Sequence, residues 1–183
     1  MKCIRCQKEN DREICFECES VMFSEALSFA AKKHAGQIRR NGSPYIVHPL
    51  KVAQYIDKEG FSIRHQVVAL LHDVLEDTDA TEEELKRYCD YEMLEAVKLV
   101  TKTDGYIEQE YIDNILNNEM AKAVKNSDRI NNLMDSLNSG DSAFQKRYIK
   151  DTIEYYEGNF SKELDDTLKS LMERLGVLRE DCK

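Results

Sequence analysis

The sequence predicts an all-α fold, and three observations support this prediction. Glycine and proline are scarce, at seven and two of 183 residues, whereas the turns and edges of β-sandwiches and barrels usually need more of both. Apolar residues recur at helical spacing along the chain from Ser20 onward. Hydrophobic residues make up 42% and charged residues 33%, which is the ordinary balance of a globular domain.

The predicted helices follow one another through short connections. In the first helix, over 21–33, Phe23, Leu27 and Ala30 lie on one face, and Gly36 suits the C-terminal end. The further helices are expected over 49–60, 63–75, 81–88, 93–101, 107–116, 120–137, 143–156 and 162–175. The sequence has no internal repeat, no low-complexity tract and no long linker.

Turn and capping residues indicate several of these boundaries. Pro49 is expected at the first position of its helix, where a missing N–H costs nothing, and Gly60 is expected to end that helix. Ser62 suits the N-cap of the next helix. Thr81 and Glu84 have the spacing of a capping box, which predicts a helix start at that point.

The charge balance disfavours one class of partner. Lys and Arg number 26 against 35 Asp and Glu, which gives a formal net charge of −9. Proteins that wrap nucleic acid are normally basic, so we expect no nucleic-acid partner, whereas a basic pocket or a metal ion still allows a small anionic ligand. No apolar run approaches the roughly 18 residues of a membrane span. Residues 1–10 lack the apolar stretch of a signal peptide, so we expect a cytoplasmic protein without a membrane partner.

Four of the six cysteines lie in residues 1–19, which show no helical period. They form two C-x-x-C pairs eight residues apart, which are Cys3 with Cys6 and Cys15 with Cys18. Two such pairs suit one tetrahedral Zn²⁺, and a short polar segment without a core of its own needs such a staple. We therefore predict a zinc knuckle over 1–19 and a second domain over 20–183. A tail with reduced thiols and an iron–sulfur site remain alternatives.

The most informative segment is H-D-V-L-E-D, which runs from His72 to Asp77. Because a helix turns about 100° per residue, His72 is expected to stack on Glu76, and Asp73 on Asp77. These ionisable groups follow the apolar run V-V-A-L-L. Acidic side chains beside such a run are costly to bury unless they are paired or bind metal. The alternative is a helix whose C-terminal end simply reaches solvent.

Two further residues favour a metal site. His48 lies in the segment Y-I-V-H-P-L, and Asp128 lies in A-V-K-N-S-D-R-I-N-N-L. Alone, His48 would more often be a cap or core residue, and Asp128 a surface residue. Together with His72 and Asp73 they form a mixed nitrogen and oxygen ligand set, which suits Mn²⁺, Fe²⁺ or Zn²⁺.

Longer motifs carry a resemblance to a known family. The chain contains H-A-G-Q-I-R-R-N-G-S-P-Y-I-V-H-P-L, then A-L-L-H-D-V-L-E-D-T, then V-T-K and V-K-N-S-D-R-I-N-N-L. These segments resemble the hydrolase domain of RelA/SpoT-type alarmone enzymes and of their small single-domain relatives, within the HD phosphohydrolase superfamily. The resemblance runs from His34 to Leu137 and implies an all-α HD-domain helical bundle.

The resemblance also implies a site and a reaction. The residues expected to hold one Mn²⁺, or another divalent ion, are His48, His72, Asp73 and Asp128. Those expected to position or activate the attacking water are Glu76 and Asp77. Those expected to contact a small phosphorylated nucleotide are Arg39, Arg40, Asn41 and Asn132. The implied reaction is loss of pyrophosphate from a guanosine 3′-pyrophosphate alarmone.

Some positions depart from the usual family pattern V-K-L-A-D-R-L-H-N. Asn126 and Ser127 stand where Leu and Ala are usual, Asn131 stands where His is common, and Asp135 stands where Thr or a basic residue is more usual. Hydrolysis of another nucleotide, a dNTP or a nucleoside monophosphate, therefore remains an alternative, as does a nucleotide-binding or zinc-tethered module without catalysis. A solvated turn remains the alternative for the arginine loop. The complete set of ligands and acidic residues favours an enzyme, and a homo-oligomer is left open.

Overall fold

The computed structural model describes residues 1–9, 11, 14–137 and 142–182. Among these residues there are ten α-helices, one 3₁₀ turn and two isolated β-bridges, so the predicted all-α class is confirmed. The helices are α1 Phe16–Lys33, α2 Val47–Lys58, α3 Ile63–Leu71, α4 Val74–Asp77, α5 Glu82–Leu85, α6 Tyr91–Val100, α7 Glu108–Leu116, α8 Glu119–Ser136, α9 Ser142–Tyr156 and α10 Lys162–Leu175, and the 3₁₀ turn is Arg179–Cys182. In this described part of the chain, no helix is long and apolar enough to cross a membrane.

Helix α8 is the centre of the bundle, because it packs against α2, α3, α6, α7, α9 and α10. Its Val124 belongs to a first core, which is formed mainly by residues of the successive helices from α1 to α7. Its Ile130 and Leu133 belong to a second core, which they form with α9 and α10. The six consecutive residues from Asn126 to Asn131 are all buried, although five of them are polar or charged. Buried polar groups are usually paired inside the protein, and Asn126, Asp128, Arg129 and Asn131 each have at least one such partner. A polar seam therefore runs through the middle of the fold.

Helix α1 begins at Phe16, whereas the apolar period predicts a start at Val21. Cys15 takes an extended N-cap conformation, and two glutamates in the first turn favour a helix start there. The period misses this first turn because it contains no apolar stripe. Cys18 therefore lies inside α1, and the predicted division between residues 19 and 20 falls within that helix.

Helix α2 begins at Val47, so the prediction that Pro49 takes its first position is wrong. Pro49 is the third helical residue. The N–H groups of a first turn have no partner within the helix, so proline is tolerated anywhere in that turn. As a consequence, His48 is part of the first turn of α2, and its side chain is buried.

The helix predicted over 63–75 is interrupted by a turn at His72 and Asp73, between α3 and α4. Asp73 has φ −99° and ψ −5°, away from the centre of the helical region. The predicted stacking of His72 on Glu76 along one continuous helix is therefore wrong. Asp77 still lies one turn beyond Asp73, because its N–H donates to the Asp73 carbonyl at 2.9 Å.

Other predicted boundaries agree with the structure. In the capping box, the Glu84 N–H donates to Thr81 Oγ1 at 3.3 Å, and the Thr81 N–H donates to Glu84 Oε2 at 3.0 Å. Gly60 follows α2 with φ 82°, a left-handed conformation that favours glycine. Ser62 is the N-cap residue of α3, but its hydroxyl pairs with His65 Nδ1 at 2.9 Å rather than with the helix backbone.

Candidate active site

His48 and His72 are oriented so that each presents the same ring atom. His48 Nδ1 donates to Asn131 Oδ1 at 2.6 Å, and His72 Nδ1 donates to the carbonyl oxygen of Ala69 at 2.8 Å. A carbonyl or amide oxygen can only accept, so Nδ1 carries the proton in both rings. Nε2 of each ring is then the atom that can bind a metal ion.

Asp128 of α8 lies beside both Nε2 atoms. Its Oδ1 is 3.2 Å from His48 Nε2 and 3.8 Å from His72 Nε2. The three ligand atoms all lie within 4.8 Å of one another. Atoms bound to one ion at about 2.1 Å are themselves about 3.0–3.4 Å apart. His48, His72 and Asp128 could therefore bind one divalent metal ion, and all three side chains are buried.

Asp73 lies beside these three residues, but it is not part of the group whose ligand atoms all lie within 4.8 Å of one another. Its Oδ1 lies 3.1 Å from His72 Nε2, and its Oδ2 lies 3.4 Å from His48 Nε2. The Tyr45 hydroxyl also contacts Oδ2, at 2.7 Å. The role of Asp73 as a fourth metal ligand stays a prediction.

The electrostatics of the cluster fit a cation. His72 Nε2 is buried and has no hydrogen-bond partner in the described part of the chain. Burial raises the pKa of Asp128, but the Lys125 ammonium at 3.0 Å and the two imidazoles outweigh burial and hold that pKa well below its usual range. Burial lowers the pKa of His72, but the carboxylates of Asp73 and Asp128 outweigh burial and raise it to about 10. The buried carboxylates thus attract positive charge, and a divalent ion bound there would supply it in place of the imidazole protons.

Glu76 and Asp77 face the same cavity as this cluster. Glu76 Oε2 accepts the backbone N–H of Lys102 at 2.8 Å. Burial raises the pKa of Glu76, and this hydrogen bond opposes the rise only in part. Asp77 Oδ2 accepts the Tyr45 hydroxyl at 2.6 Å. Tyr45 thus bridges a residue of the metal cluster and a residue of the acidic pair.

The cavity has a volume of about 540 Å³, within the usual range for small-molecule sites. His48, Asp73 and Asp128 are part of its lining. Its cationic side chains are Arg39, Arg40, Lys102, Lys125 and Arg129, and its aromatic side chains are Tyr45, Tyr111, Phe144 and Tyr148. The same lining also has five carboxylates, which are those of Asp73, Glu76, Asp77, Asp128 and Asp135, so cations and acidic groups meet in one cavity of a chain whose net charge is −9. Phosphates and a nucleobase are the chemical groups that such a lining binds.

A larger groove of about 1050 Å³ is lined by α1 and by the segment around α5. Three of its charged residues pair with one another, since Lys33 lies 3.0 Å from both Asp79 and Glu84. It contains none of the metal-ligating groups found in the described residues. We therefore locate the chemistry in the smaller cavity.

Arg39 connects the loop after α1 to helix α8. Its Nη2 donates to Asn132 Oδ1 at 2.8 Å and lies 3.2 Å from Asp135 Oδ2. Asn132 Nδ2 in turn donates to Asp128 Oδ1 at 2.6 Å. The predicted nucleotide-binding residues Arg39 and Asn132 therefore lie in one hydrogen-bonded chain that ends at a candidate metal ligand.

Arg40 and Asn41 also line the cavity, as the sequence predicts. The Arg40 guanidinium lies 5.1 Å from the centre of the Phe144 ring. Asn41 Oδ1 accepts the backbone N–H of Ser43 at 3.0 Å and the Ser43 hydroxyl at 2.7 Å. Asn41 therefore shapes the loop. Contact of either residue with a nucleotide stays a prediction.

The comparison with protein families agrees with this geometry. The family model described as HD domain matches residues 26–152. The chain belongs to the HD domain family. The predicted resemblance, which runs from His34 to Leu137, lies within the matched residues.

Several relatives of this HD domain are known. Guanosine-3′,5′-bis(diphosphate) 3′-pyrophosphohydrolase MESH1 of Mus musculus is 32% identical over 176 residues, which cover 87% of this chain and 97% of the relative. A protein of the same name from Aquifex aeolicus is 37% identical over 140 residues, covering 72% of this chain and 20% of the relative. A solved structure, described as a metazoan ortholog of SpoT that hydrolyses ppGpp, superposes with a TM-score of 0.72 at 27% identity and covers 86% of this chain and 97% of its own. The chain spans 10–20% of the length of the longer bacterial relatives.

Sequence reasoning missed several residues of the HD-domain site. Lys125 stands three positions before Asp128 on α8, which is the spacing of neighbours on a helix and a signal that could have identified it. Tyr45 precedes α2, and its contacts with Asp73 and Asp77 are recognisable only in the folded structure. Asn131 carried no such signal, because a buried amide resembles any other polar residue on α8 until its partner is known.

The four N-terminal cysteines lie ahead of the matched HD-domain residues, and the structure brings them together. Their ligand atoms all lie within 4.8 Å of one another, and Cys6 Sγ is 3.7 Å from Cys15 Sγ. Sulfur atoms bound to one tetrahedral Zn²⁺ at about 2.3 Å are about 3.8 Å apart. The Cys15 N–H donates to Cys3 Sγ at 3.4 Å and lowers the pKa of that thiol to about 6. Burial and the neighbouring thiols raise the pKa of Cys18 to about 12.

The backbone around the first cysteine pair forms a tight loop. The Cys3 N–H donates to the Lys8 carbonyl and the Gln7 N–H donates to the Cys3 carbonyl, both at 2.9 Å. Gln7 has φ 63°, a conformation that is uncommon for a residue other than glycine. An ion pair of 2.7 Å between Arg5 and Glu25 fastens the loop to α1. This contact joins the described part of the cysteine loop to α1.

We expect Asp128→Asn to weaken Mn²⁺ binding by more than about 100-fold, because it removes the negative charge of the candidate ligand that lies beside both histidines. The substitution keeps the shape of the side chain, so helical circular dichroism should stay unchanged. Asp166→Asn, at an exposed position of α10, is the matched control. Equilibrium Mn²⁺ titration checks the prediction, and full affinity in Asp128→Asn would exclude Asp128 as a ligand.

Proposed function

We propose that this chain is a metal-dependent nucleotide phosphohydrolase that removes pyrophosphate from the 3′ position of a guanosine 3′-pyrophosphate alarmone. The observation that carries the proposal is a buried nitrogen and oxygen metal cluster in the lining of a cavity rich in cations and aromatic rings. The printed name of the mouse relative, which this chain matches over 97% of the relative's length, supports the same substrate.

The proposed metal is Mn²⁺, held by His48, His72, Asp73 and Asp128. These residues would hold a divalent ion, which would supply charge neutralisation for phosphoryl oxygens and a more nucleophilic water. The protein contributes the geometry, because Nδ1 of both histidines is already occupied as a donor. Mixed imidazole and carboxylate ligands favour Mn²⁺ over ions that prefer thiolates.

The proposed proton transfer involves Glu76 and Asp77. Water attacks the phosphorus atom bound to the ribose 3′ oxygen, the bond between that phosphorus and the 3′ oxygen breaks, and pyrophosphate leaves a 3′ hydroxyl behind. Glu76 suits the acceptor of the water proton, because burial raises its pKa towards the pH at which it must work. A carboxylic acid of this pair then returns a proton to the 3′ oxygen.

The cations of the cavity suit the two diphosphate groups of such a nucleotide. The Lys102 ammonium donates to the Tyr106 hydroxyl at 2.8 Å. The Arg129 guanidinium lies 4.7 Å from the centre of the Tyr148 ring and 4.9 Å from the centre of the Tyr156 ring. Arg39 and Arg40 line the same cavity from the loop after α1, and they too lie over aromatic rings, those of Tyr45 and Phe144. We propose that this loop binds the nucleoside part and that the buried cations bind the phosphates.

The N-terminal cysteines are proposed to hold one structural Zn²⁺. Cys15 is the N-cap residue of α1 and Cys18 lies in its first turn, at the positive end of the helix dipole. Because burial raises the pKa of Cys18, the zinc ion itself would have to stabilise that thiolate. The matched sulfur spacing and the N–H donated to Cys3 support zinc over a set of independent thiols. Such a site needs reduced cysteines, which supports a cytoplasmic location.

The wild-type chain with Mn²⁺ is expected to convert guanosine 3′,5′-bis(diphosphate) and water into GDP and pyrophosphate. Chromatography of the nucleotides with identification by mass spectrometry measures both products. A chain that leaves this nucleotide intact but cleaves a dNTP or a nucleoside monophosphate would contradict the proposed alarmone substrate. It would still support the broader proposal of a metal-dependent phosphohydrolase. A chain that turns over none of them, while binding the nucleotide, would favour the binding module.

Glu76→Gln is expected to lower kcat by about 10²–10⁴ while changing KM little, because it removes proton transfer but keeps the shape of the side chain. Arg39→Ala is expected to raise KM, because it removes a nucleotide contact. The acidic limb of the wild-type kcat–pH profile should lie above the ordinary carboxyl pKa and disappear in Glu76→Gln, since a base with a raised pKa ionises at higher pH. Steady-state kinetics of both variants separate the two roles.

The matched controls for these two variants are Glu173→Gln and Arg174→Ala, which lie at exposed positions of α10. Both should retain wild-type kcat and KM. An unchanged kcat in Glu76→Gln would remove Glu76 from the chemical step, and an unchanged KM in Arg39→Ala would remove Arg39 from nucleotide binding.

The zinc proposal is tested by elemental analysis in the Asp128→Asn background, so that the HD site contributes no metal. We expect about one zinc per chain, and we expect Cys6→Ser to lose it, because this variant removes one of four thiolates. Cys89→Ala, a cysteine outside the cluster, is the control and should keep its zinc. Zinc content that does not change in Cys6→Ser would place the ion elsewhere.

A further inference from the structure

The two candidate histidine ligands are held in different ways. His72 is held by a backbone carbonyl, that of Ala69, which any residue at that position would supply. His48 is held by a side chain, the amide of Asn131, at 2.6 Å. The orientation of His48 therefore depends on the identity of one residue on another helix.

Asn131 is fixed in place by the packing of α8. It is 1% exposed, and it lies one helical turn after Asp128, so both side chains lie on the same side of the helix. Helix α8 therefore presents a candidate ligand and the support of a second ligand from the same face. Helix α2, which carries His48, packs directly against α8.

The direction of the amide decides what His48 can do. With Oδ1 towards the ring, Nδ1 donates a proton and Nε2 is free to bind a metal ion. With the NH₂ group towards the ring, Nδ1 would have to accept, and Nε2 would carry the proton that excludes a metal. A buried residue with one acceptor oriented towards Nδ1 thus selects the tautomer that can bind metal.

We infer that Asn131 is a positioning residue that holds His48 in its metal-binding tautomer and orientation. The inference rests on the metal ion of the proposed function and is independent of the nucleotide. Asn131 itself does not contact the ion. Its contribution is to metal affinity, and groups that support a ligand in this way commonly contribute 10–100-fold.

Two substitutions test the direction of this hydrogen bond. Asn131→Leu is nearly the same size but cannot accept, so we expect the dissociation constant for Mn²⁺ to rise about 10–100-fold. Asn131→Asp can only accept, so we expect it to bind Mn²⁺ at least as tightly as the wild-type chain. The electron paramagnetic resonance signal of unbound Mn²⁺, followed as the ion is titrated into the whole chain, measures this affinity without any substrate.

A matched control separates positioning from general damage to α8. Asn126 is buried on the same helix, but it donates to the Asn159 carbonyl at 3.1 Å and, among the described residues, makes no hydrogen bond to a candidate ligand. Asn126→Leu should lower the unfolding temperature while leaving Mn²⁺ affinity within about threefold of the wild-type value.

Three outcomes would overturn the inference. They are wild-type affinity in Asn131→Leu, weakened binding in Asn131→Asp, which would mean that the amide donates, and an equal loss in Asn126→Leu. A wild-type chain that binds no Mn²⁺ would instead contradict the proposed metal site itself, so the two failures are distinguishable. Weak binding in Asn131→Leu, restored in Asn131→Asp, is the result that supports it.

Discussion

The structure depends on one buried carboxylate, that of Asp128, in the middle of a helix that other helices surround. Moving an ion of this size into a protein interior costs several kcal/mol even after relaxation. Three contacts offset that cost, from Lys125 at 3.0 Å, Asn132 at 2.6 Å and His48 at 3.2 Å. Each contact fixes the position of the side chain that makes it. The polar seam of α8 therefore constrains how α2 and α3 can pack against that helix.

The turn between α3 and α4 follows from the same constraint. A continuous helix would carry His72 and Asp73 along the regular spiral, about 100° apart. The turn instead brings His72 Nε2 within 3.1 Å of Asp73 Oδ1, while the His72 ring donates back to the Ala69 carbonyl. Tertiary packing around a polar site outweighs helix propensity here, as it often does over short segments.

This constraint also explains what could be predicted from the sequence. Apolar periodicity predicted α7 to α10 within one residue at each end, because those helices bury a regular stripe. It failed at Phe16, because the first turn of α1 has no apolar stripe, and at the turn after Leu71, where the polar site determines the backbone. Ionisable residues beside apolar runs identified the cluster, whereas Asn131 was recognisable only from its contact with His48.

Charge balance around the cluster explains how so acidic a chain can bind an anion. With the ion that we propose, two positive charges compensate Asp73 and Asp128, and the imidazoles remain neutral as ligands. The Lys125 ammonium then leaves the cluster with an excess of one positive charge. A neutral amide at position 131 preserves that excess, whereas a carboxylate there would cancel it. Because Coulomb interactions strengthen as water is excluded, this local excess acts on a bound phosphate more strongly than the distant surface charges that make the whole chain negative.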